Sequence, residues 1–283
     1  MTNLRIGIPS KGRLAELAGD LLKEAGLNYR RPDRSLFARC RDAPIDVTFL
    51  RTEDIPVLCA EGAIDMGLTG SDLVAEHRAD VLERLPLDVG HCRLAICVPE
   101  HGDVRQPQDL AGRRIATSFP NTTQEYLGKH KTTAHLVPLS GSVEVMIALG
   151  VADAIVDLVE TGSTLAANGL SILDEIGHYQ TVLVQNRDRR HPELADRVVR
   201  RLEGVVIARS YSLLEYNVPR GKLSDAEKIT PGFNSPTVSA LEAADWCAVR
   251  VMVRRSEVIS IMEQLEALGA SAILETRITN CRL

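Results

Sequence analysis

Between residues 4 and 202, short apolar segments of strand length alternate with segments of helical periodicity. Residues 4–8 and 64–69 are apolar runs bounded by turn residues, as expected for buried strands. The segment after the first run places Leu14, Leu17 and Leu21 on one helical face. Strands that alternate with helices in this way predict an α/β fold with a mainly parallel sheet covered by helices.

The order of the predicted elements indicates two α/β lobes. A second block of strands and helices begins near Cys92, and a strand at residues 181–185 leads back to the first block. We therefore expect residues 1–91 with 182–208 to form one lobe and residues 92–181 to form the other. A cleft between two such lobes is a common place for a ligand.

The C-terminal part has a different pattern. It is predicted to contain strands and helices in the order strand (205–208), helix, strand (237–241), strand (248–253), helix (257–268) and strand (271–278). This is the split βαββαβ order of a ferredoxin-like module, which we assign to residues 209–283.

Composition excludes several classes of protein. The chain has 283 residues and a formal net charge of −5, which argues against a general nucleic-acid-binding protein. No apolar run approaches the roughly 20 residues that a membrane span requires. The N-terminal segment has charged residues where a signal peptide would be apolar, so a cytoplasmic protein is expected. The cysteines and histidines lack metal-site spacing, and a protein-ligated zinc ion is not expected.

The strongest candidate for a functional segment is DAIVDLVETGSTL at residues 153–165. Asp153 and Asp157 would point to the same face of a strand, roughly 13 Å apart, and a bend would bring Glu160 close to Asp157. The following residues, Thr161, Gly162, Ser163 and Thr164, begin a helix. Free backbone N–H groups and three hydroxyl groups there suit a phosphate, and carboxylates can bind ribose hydroxyls or Mg²⁺. The alternative is plain helix capping by Thr161.

Three other strand-to-helix junctions carry small and charged residues. They contribute Lys11, Gly12 and Arg13; Ser71 and Asp72; and, after Ser140-Gly141-Ser142, Glu144. The first junction is either an anion site or an exposed basic turn; its place at the carboxyl end of the first strand, where open α/β sheets bind ligands, leaves both interpretations open. No P-loop, dinucleotide-binding glycine motif or nucleophile elbow is present, and no cysteine has the setting of a nucleophile. A reaction without a covalent protein intermediate is therefore expected.

Several motifs together resemble one enzyme family over essentially the whole chain. They are IPSKGRL, IDMGLTGSDLV, RIATSFPN, SGSVEV, ADAIVDLVETGSTLAANGL, ITPGFNSPT and GASAIL. The chain resembles the long form of ATP phosphoribosyltransferase, which catalyses the first step of histidine biosynthesis. The resemblance implies a two-lobed catalytic part similar to periplasmic binding proteins, a C-terminal ferredoxin-like regulatory domain, and a homohexamer in equilibrium with a dimer.

The resemblance also implies the reaction and its site. ATP would condense with 5-phosphoribosyl 1-pyrophosphate to give N1-(5-phosphoribosyl)-ATP and pyrophosphate, with Mg²⁺ required. Residues 161–164 would hold the 5-phosphate, while Asp153 and Asp157 would face the ribose or its metal. Lys11 and Arg13 would neutralise phosphates of ATP or pyrophosphate, with Ser71, Asp72 and Glu144 on the cleft wall.

In the C-terminal module the resemblance implies a site for histidine as a feedback inhibitor. Ser235, Thr237 and Ala272 would line it, with Asn217 and Phe233 nearby. Asn217 departs from family members with an acidic residue, which could pair with the inhibitor's amine; a neutral amide leaves the strength of inhibition open. A purely structural module is the alternative there. For the whole chain, the alternative is a two-lobed protein that binds or senses a small molecule without catalysis.

Overall fold

The computed structural model of the protein describes residues 3–32 and 35–282. The strands in this part of the chain are β1 (Leu4–Pro9), β2 (Phe37–Arg39), β3 (Ile45–Leu50), β4 (Met66–Gly70), β5 (Val81–Pro86), β6 (Cys92–Pro99), β7 (Arg114–Thr117), β8 (His135–Pro138), β9 (Ala154–Val159), β10 (Leu170–Tyr179), β11 (Thr181–Asn186), β12 (Tyr211–Pro219), β13 (Thr237–Ala240), β14 (Trp246–Arg254) and β15 (Ser271–Arg277). The α-helices are α1 (Arg13–Glu24), α2 (Ile55–Ala60), α3 (Ser71–Glu76), α4 (Pro120–Lys129), α5 (Val145–Ala148), α6 (Ser163–Ala167), α7 (Pro192–Ser210), α8 (Leu223–Ile229) and α9 (Val258–Leu268).

The first lobe, lobe I, is built on a six-stranded sheet in the order β2-β3-β1-β4-β11-β5. Strand β1 is parallel to β3 and β4, and β11 is antiparallel to β4 and β5. The central strands are apolar and buried because helices cover the sheet; Ile55 and Cys59 of α2, for example, pack with Val182 and Val184 of β11. Because β1, β3 and β4 are parallel, their carboxyl ends lie at the same edge of the sheet.

The second lobe, lobe II, is built on a five-stranded sheet in the order β10-β6-β9-β7-β8. Strand β7 is parallel to β8 and β9, while β6 is antiparallel to β9 and β10. Alternate residues of β9 enter different apolar clusters, with Val156 in one and Ile155 in the other. The chain enters lobe II through β6 and returns to lobe I where Thr181 pairs with Gly70.

The C-terminal sheet has the order β13-β14-β12-β15, and every neighbouring pair is antiparallel. Alternation along β12 buries Leu214, Tyr216 and Val218 among residues of α8 and α9, such as Ala226 and Leu265. The intervening residues of β12 are partly exposed and lie on the face opposite α8 and α9. This is the predicted βαββαβ arrangement.

Contacts divide the chain into two compact units: residues 1–19 with 28–195, and residues 20–27 with 196–283. The sequence prediction instead placed 182–208 with lobe I. The later turns of α7 belong to the second unit because of the contacts that they make within it. The Arg209 guanidinium donates to the Glu24 carboxylate, and the Cys281 thiol donates to the Gly204 carbonyl.

The strand predicted at residues 205–208 is wrong, because these residues belong to helix α7. Strand β12 is the first strand of the C-terminal sheet instead. Strands β5 and β10 were missed. Charged residues interrupt the apolar pattern of both, and β10 also contains two irregularities in its pairing with β6.

No helix in the described part of the chain has the length and apolar character needed to cross a membrane.

Candidate functional site

A cavity of about 1010 Å³ lies where residues of both lobes face each other. Most residues proposed from the sequence for the substrate site line it. They are Lys11, Gly12, Arg13, Asp72, Glu144, Asp157, Glu160, Thr161, Gly162, Ser163 and Thr164. They come from the ends of strands β1, β4 and β9 and from the loop before α5, which places the chemistry where open α/β sheets bind ligands.

The turn after β9 is shaped by a glycine in the left-handed region. Gly162 has φ = 82° and is the N-cap of α6, where it provides no side-chain acceptor for the first N–H groups of the helix. The hydroxyl groups of Thr161 and Ser163 are 3.1 Å apart. Backbone donors and hydroxyl groups thus converge on the cavity, an arrangement that suits a phosphate.

Lobe I presents a similar loop to the same cavity. Gly12 has φ = 83° and immediately precedes Arg13, the first residue of α1. A side chain at position 12 would meet no atom within 4 Å, so the glycine is there for its conformation and not for lack of space. Lys11 and Arg13 flank it and add positive charge.

An ion pair joins the two loops across the cavity. The guanidinium of Arg13 donates to the carboxylate of Glu160, and both side chains are more than half exposed, at 78% and 52%. An exposed pair of this kind contributes little to stability, typically about 0–1 kcal/mol. The Arg13 guanidinium can therefore exchange this partner for an anionic ligand at small cost.

Two cavity carboxyl groups are shielded from water. Burial raises the pKa of Asp157, opposed by the N–H of Leu158 and reinforced by the charge of Glu144. Burial also raises the pKa of Asp72, against the backbone N–H groups of Leu73 and of Asp72 itself. Both carboxylates would gain from a bound cation or hydroxyl donor, which would offset the cost of their desolvation.

Asp153, assigned from the sequence to the same site, does not line the cavity. Its carboxylate accepts hydrogen bonds from the backbone N–H of Arg114 at 2.9 Å and from the guanidinium of Arg114 at 2.8 and 3.2 Å. It precedes β9, whereas the cavity lies at the opposite end of that strand. Four residues of extended chain separate Asp153 from Asp157 by about 13 Å, so one ligand group cannot contact both.

Ser71 also lies outside the main cavity. Its hydroxyl accepts the N–H of Gln180 and its own N–H donates to the Gln180 carbonyl, so it holds the segment that links β10 to β11. It lines a separate hollow of about 410 Å³ with residues of β5.

Sequence reasoning missed other residues of the cavity wall. They include Thr52, Gly90, Cys92, Phe119, Gln180 and Thr181. Thr52 follows β3 at the same sheet edge as Lys11, so the rule that found Lys11 could have found it. Gln180 and Thr181 lie where the chain crosses between lobes, and no local motif marks them.

The cavity has neither a nucleophilic thiol nor a preformed metal cage. Burial raises the pKa of Cys92 to about 11, so the group is a neutral thiol near pH 7. Among residues 3–32 and 35–282, no three His, Cys, Asp or Glu side chains come together as a metal site. The carboxylates of Glu144, Asp157 and Glu160 do line the cavity, where they could supplement the oxygen ligands that a substrate brings to Mg²⁺.

A second cavity, of about 390 Å³, lies on the C-terminal sheet, on the face opposite α8 and α9. Thr237 and Ala272, which the resemblance implies for the wall of a histidine site, line it together with Asn217, Glu215 and Arg250. The Arg250 guanidinium donates to Glu215 at 2.7 and 2.9 Å. Ala272 has φ = 49°, an unusual conformation for a residue other than glycine.

Ser235, which the resemblance also implies for the wall, does not line this cavity, and neither does Phe233, which it implies nearby. The ring of Phe233 packs edge-on against Tyr211, with ring centres 5.7 Å apart, and is 47% exposed. Ser235 lies in the loop before β13, beside the left-handed Gly232.

Comparison with known sequences identifies the family. The profile described as ATP phosphoribosyltransferase matches residues 51–204, and that of the HisG C-terminal domain matches residues 208–280. An ATP phosphoribosyltransferase of Rhodopirellula baltica is 65% identical over 280 residues, which cover 99% of this chain and 94% of that one. An ATP phosphoribosyltransferase of Saccharopolyspora erythraea is 41% identical over 281 residues, covering 99% and 100% of the two chains.

Two solved structures share the fold of part of this chain. A chain of an ATP phosphoribosyl transferase (HisG:HisZ) complex from Thermotoga maritima superposes with a TM-score of 0.65 at 32% identity, covering 72% of this chain and 98% of that one. A putative L-cystine ABC transporter protein of Listeria monocytogenes has a TM-score of 0.52 at 14% identity over 74% and 92% of the chains, which indicates a shared fold alone. The sequence matches extend through the C-terminal module, and the chain therefore belongs to the long form of the ATP phosphoribosyltransferase family.

Proposed function

We propose that the protein condenses ATP with 5-phosphoribosyl 1-pyrophosphate to form N1-(5-phosphoribosyl)-ATP and pyrophosphate, the first step of histidine biosynthesis. The carrying observation is that the turn of residues 160–164 in lobe II and the basic loop of Lys11 and Arg13 line one cavity and are joined by the Arg13–Glu160 ion pair. Two substrates that both carry phosphates require anion-binding groups on both sides of the reacting atoms.

Each side of the cavity has a proposed task. Residues 161–164 bind the 5-phosphate through backbone N–H and hydroxyl groups, and Asp157 accepts a ribose hydroxyl. Lys11 and Arg13 bind phosphates of ATP or of the departing pyrophosphate, with Arg13 leaving Glu160 as these ligands enter. The supporting feature is the exposure of the Arg13–Glu160 pair.

In the proposed reaction adenine N1 supplies the electron pair that forms the new bond to ribose C1. The bond from C1 to the pyrophosphate oxygen breaks, and its electron pair leaves with pyrophosphate. Because N1 is a weak nucleophile, catalysis consists of aligning it with C1 and neutralising the leaving group. The raised pKa of Cys92 supports a mechanism without a covalent protein intermediate.

We propose that Mg²⁺ enters with the pyrophosphate group of the substrate. Mg²⁺ commonly binds through one or two carboxylates together with substrate phosphates. Asp157 and Glu160 are the carboxylates best placed beside the phosphate-binding turn. When bound, the ion would neutralise negative charge on the leaving group.

The decisive experiment mixes the protein with ATP, 5-phosphoribosyl 1-pyrophosphate and Mg²⁺ and measures product by absorbance and pyrophosphate release. Turnover that needs both substrates is expected. A two-lobed binding or sensing protein would bind a ligand without consuming it. Ligand binding with no pyrophosphate release would favour that alternative, and a Thr161→Ala/Thr164→Ala variant serves as the matched control for site-specific turnover.

We further propose that histidine inhibits the enzyme by binding the C-terminal cavity and that the protein assembles as a cytoplasmic homohexamer in equilibrium with dimers. The first proposal is supported by the lining of Asn217, Thr237 and Ala272. Measurement of mass in solution with and without histidine tests the assembly. A monomer at all concentrations would contradict it.

A further inference from the structure

A buried carboxylate of lobe I caps a helix of lobe II. Helix α4 begins at Pro120, which has no N–H, and its N-cap residue Phe119 makes no side-chain capping bond. The carboxylate of Glu76 fills this role instead: Oε1 accepts the N–H of Asn121 at 2.9 Å, and Oε2 accepts the N–H of Thr122 at 2.9 Å. A negative group is also favoured at this position by the helix dipole.

Two further hydrogen bonds complete the contact. The Thr122 hydroxyl donates to Glu76 Oε2 at 2.8 Å, and the Asn121 amide donates to the Glu76 carbonyl at 3.0 Å. Glu76 is only 5% exposed and Thr122 only 8%. Because water is largely excluded, breaking any of these hydrogen bonds would leave a buried donor or acceptor unpaired at a desolvation cost. The geometry of this contact is therefore closely fixed.

The contact lies on the two elements that carry part of the cavity wall. Asp72 in the first turn of α3 lines the cavity, and Glu76 ends the same helix. Phe119 also lines the cavity and directly precedes α4. A change in the Glu76 contact would therefore shift Phe119 relative to Asp72. It would also change the spacing between the lobes.

We propose that Glu76 is a positioning residue, which sets the spacing of the two lobes so that a group bound on lobe I meets the ribose bound on lobe II. This inference rests on the proposed condensation reaction. It assigns to Glu76 an effect on the alignment of two substrates, beyond its contribution to stability. A displacement of about 1 Å between reacting groups can cost a hundredfold in rate.

A neighbouring contact, between the segment just after α3 and helix α4, provides a matched control. Arg78, just after α3, donates to Glu125 of α4 at 2.7 and 2.8 Å, but these side chains are 59% and 53% exposed. Such a pair is screened by water and salt and contributes little. Glu125→Gln therefore removes a charged link between the lobes without disturbing the buried one.

The experiment compares Glu76→Gln with Glu125→Gln and the unmodified full chain. Glu76→Gln keeps the shape but places an amide donor opposite groups that are themselves donors. We expect kcat to fall about tenfold to a hundredfold. The Kd of ribose 5-phosphate, a probe for the lobe II turn alone, should stay within about twofold because a folded lobe II retains those hydrogen bonds. Hydrogen exchange at Asn121 and Thr122 should accelerate in Glu76→Gln only.

If Glu76→Gln is recovered unfolded, Thr122→Val and Thr122→Ser give the same test. Valine removes the hydroxyl donor, and serine keeps it; a loss of kcat in the valine variant alone supports the proposal. Unchanged kcat in a folded Glu76→Gln protein would overturn it. A parallel loss of ribose 5-phosphate affinity and kcat would also overturn it, by indicating general damage. Absence of turnover in the unmodified protein would instead contradict the proposed reaction.

Discussion

At the scale of single residues, Asp153, just before β9, and Asp157, within β9, have opposite electrostatic settings. Hydrogen bonds from Arg114 lower the pKa of Asp153, whereas burial raises the pKa of Asp157. The sequence places both on one face, and that much follows from strand geometry. It does not reveal which strand end meets the other lobe, because that depends on contacts with residues distant in the chain.

Asp153→Asn is predicted to reduce stability and to leave catalysis unchanged. The folded pKa of Asp153 lies below its usual 3.8, so its contribution is present above that value and is lost as pH falls through the folded pKa. We expect a loss of about 1 kcal/mol at pH 7, since the partner Arg114 is half exposed. Denaturant unfolding at several pH values measures it. A difference that persists undiminished below the folded pKa would contradict this account.

Asp157→Asn is predicted to have the reverse profile. The raised pKa means that ionised Asp157 costs stability at neutral pH, a cost that disappears as pH falls below the usual 3.8. The variant should therefore be at least as stable at pH 7 as the unmodified protein. Loss of a charge-assisted hydrogen bond to ribose should lower kcat/KM about tenfold or more. Unaltered kinetics would exclude Asp157 from substrate binding.

At the scale of elements, the strand, turn and helix around residues 154–167 were predictable because apolar, acidic and small residues follow one another in order. The helical structure of residues 205–208 was not predictable in this way. Their β-branched residues favour a strand locally, yet Val198, Leu202 and Val205 are buried at helical spacing within α7. Context overrode local propensity there. In β10, by contrast, charged residues and pairing irregularities removed the alternation that would have marked a strand.

Gly162→Ala is predicted to damage, through its backbone, the turn that we propose binds phosphate. Space is available, since the nearest atom to an added Cβ is 4.0 Å away, but φ = 82° is unfavourable for alanine. The strain should cost about 1–2 kcal/mol and raise the KM for 5-phosphoribosyl 1-pyrophosphate.

Gly128→Ala is the matched control for that variant. Gly128 lies inside helix α4 with no atom within 4 Å of an added Cβ, so alanine should stabilise the protein by about 0.4–1 kcal/mol. Thermal unfolding and steady-state kinetics of both variants distinguish backbone strain from crowding. Equal effects of the two substitutions would refute the conformational argument.

At the scale of the whole molecule, the sequence was sufficient for the fold class, whereas the extent of the compact units depends on contacts between residues distant in the chain. The order of elements specifies a two-lobed α/β part and a βαββαβ module, because few topologies accommodate those orders. The assignment of residues 20–27 and 196–208 to the C-terminal unit depends on long-range contacts such as Glu24 with Arg209. No local pattern encodes such a contact.

The proposed inhibition by histidine can be tested at Asn217, which lines the C-terminal cavity. Asn217→Asp is predicted to strengthen inhibition, because a carboxylate can form an ion pair with the ammonium group of histidine, whereas a neutral amide oxygen can only accept a hydrogen bond from it. We expect the histidine concentration for half-inhibition to fall about threefold to tenfold. Thr237→Val, which removes a hydroxyl from the same wall, should raise it. Inhibition curves at saturating and limiting ATP measure both variants, and identical curves for all three proteins would place the inhibitor elsewhere.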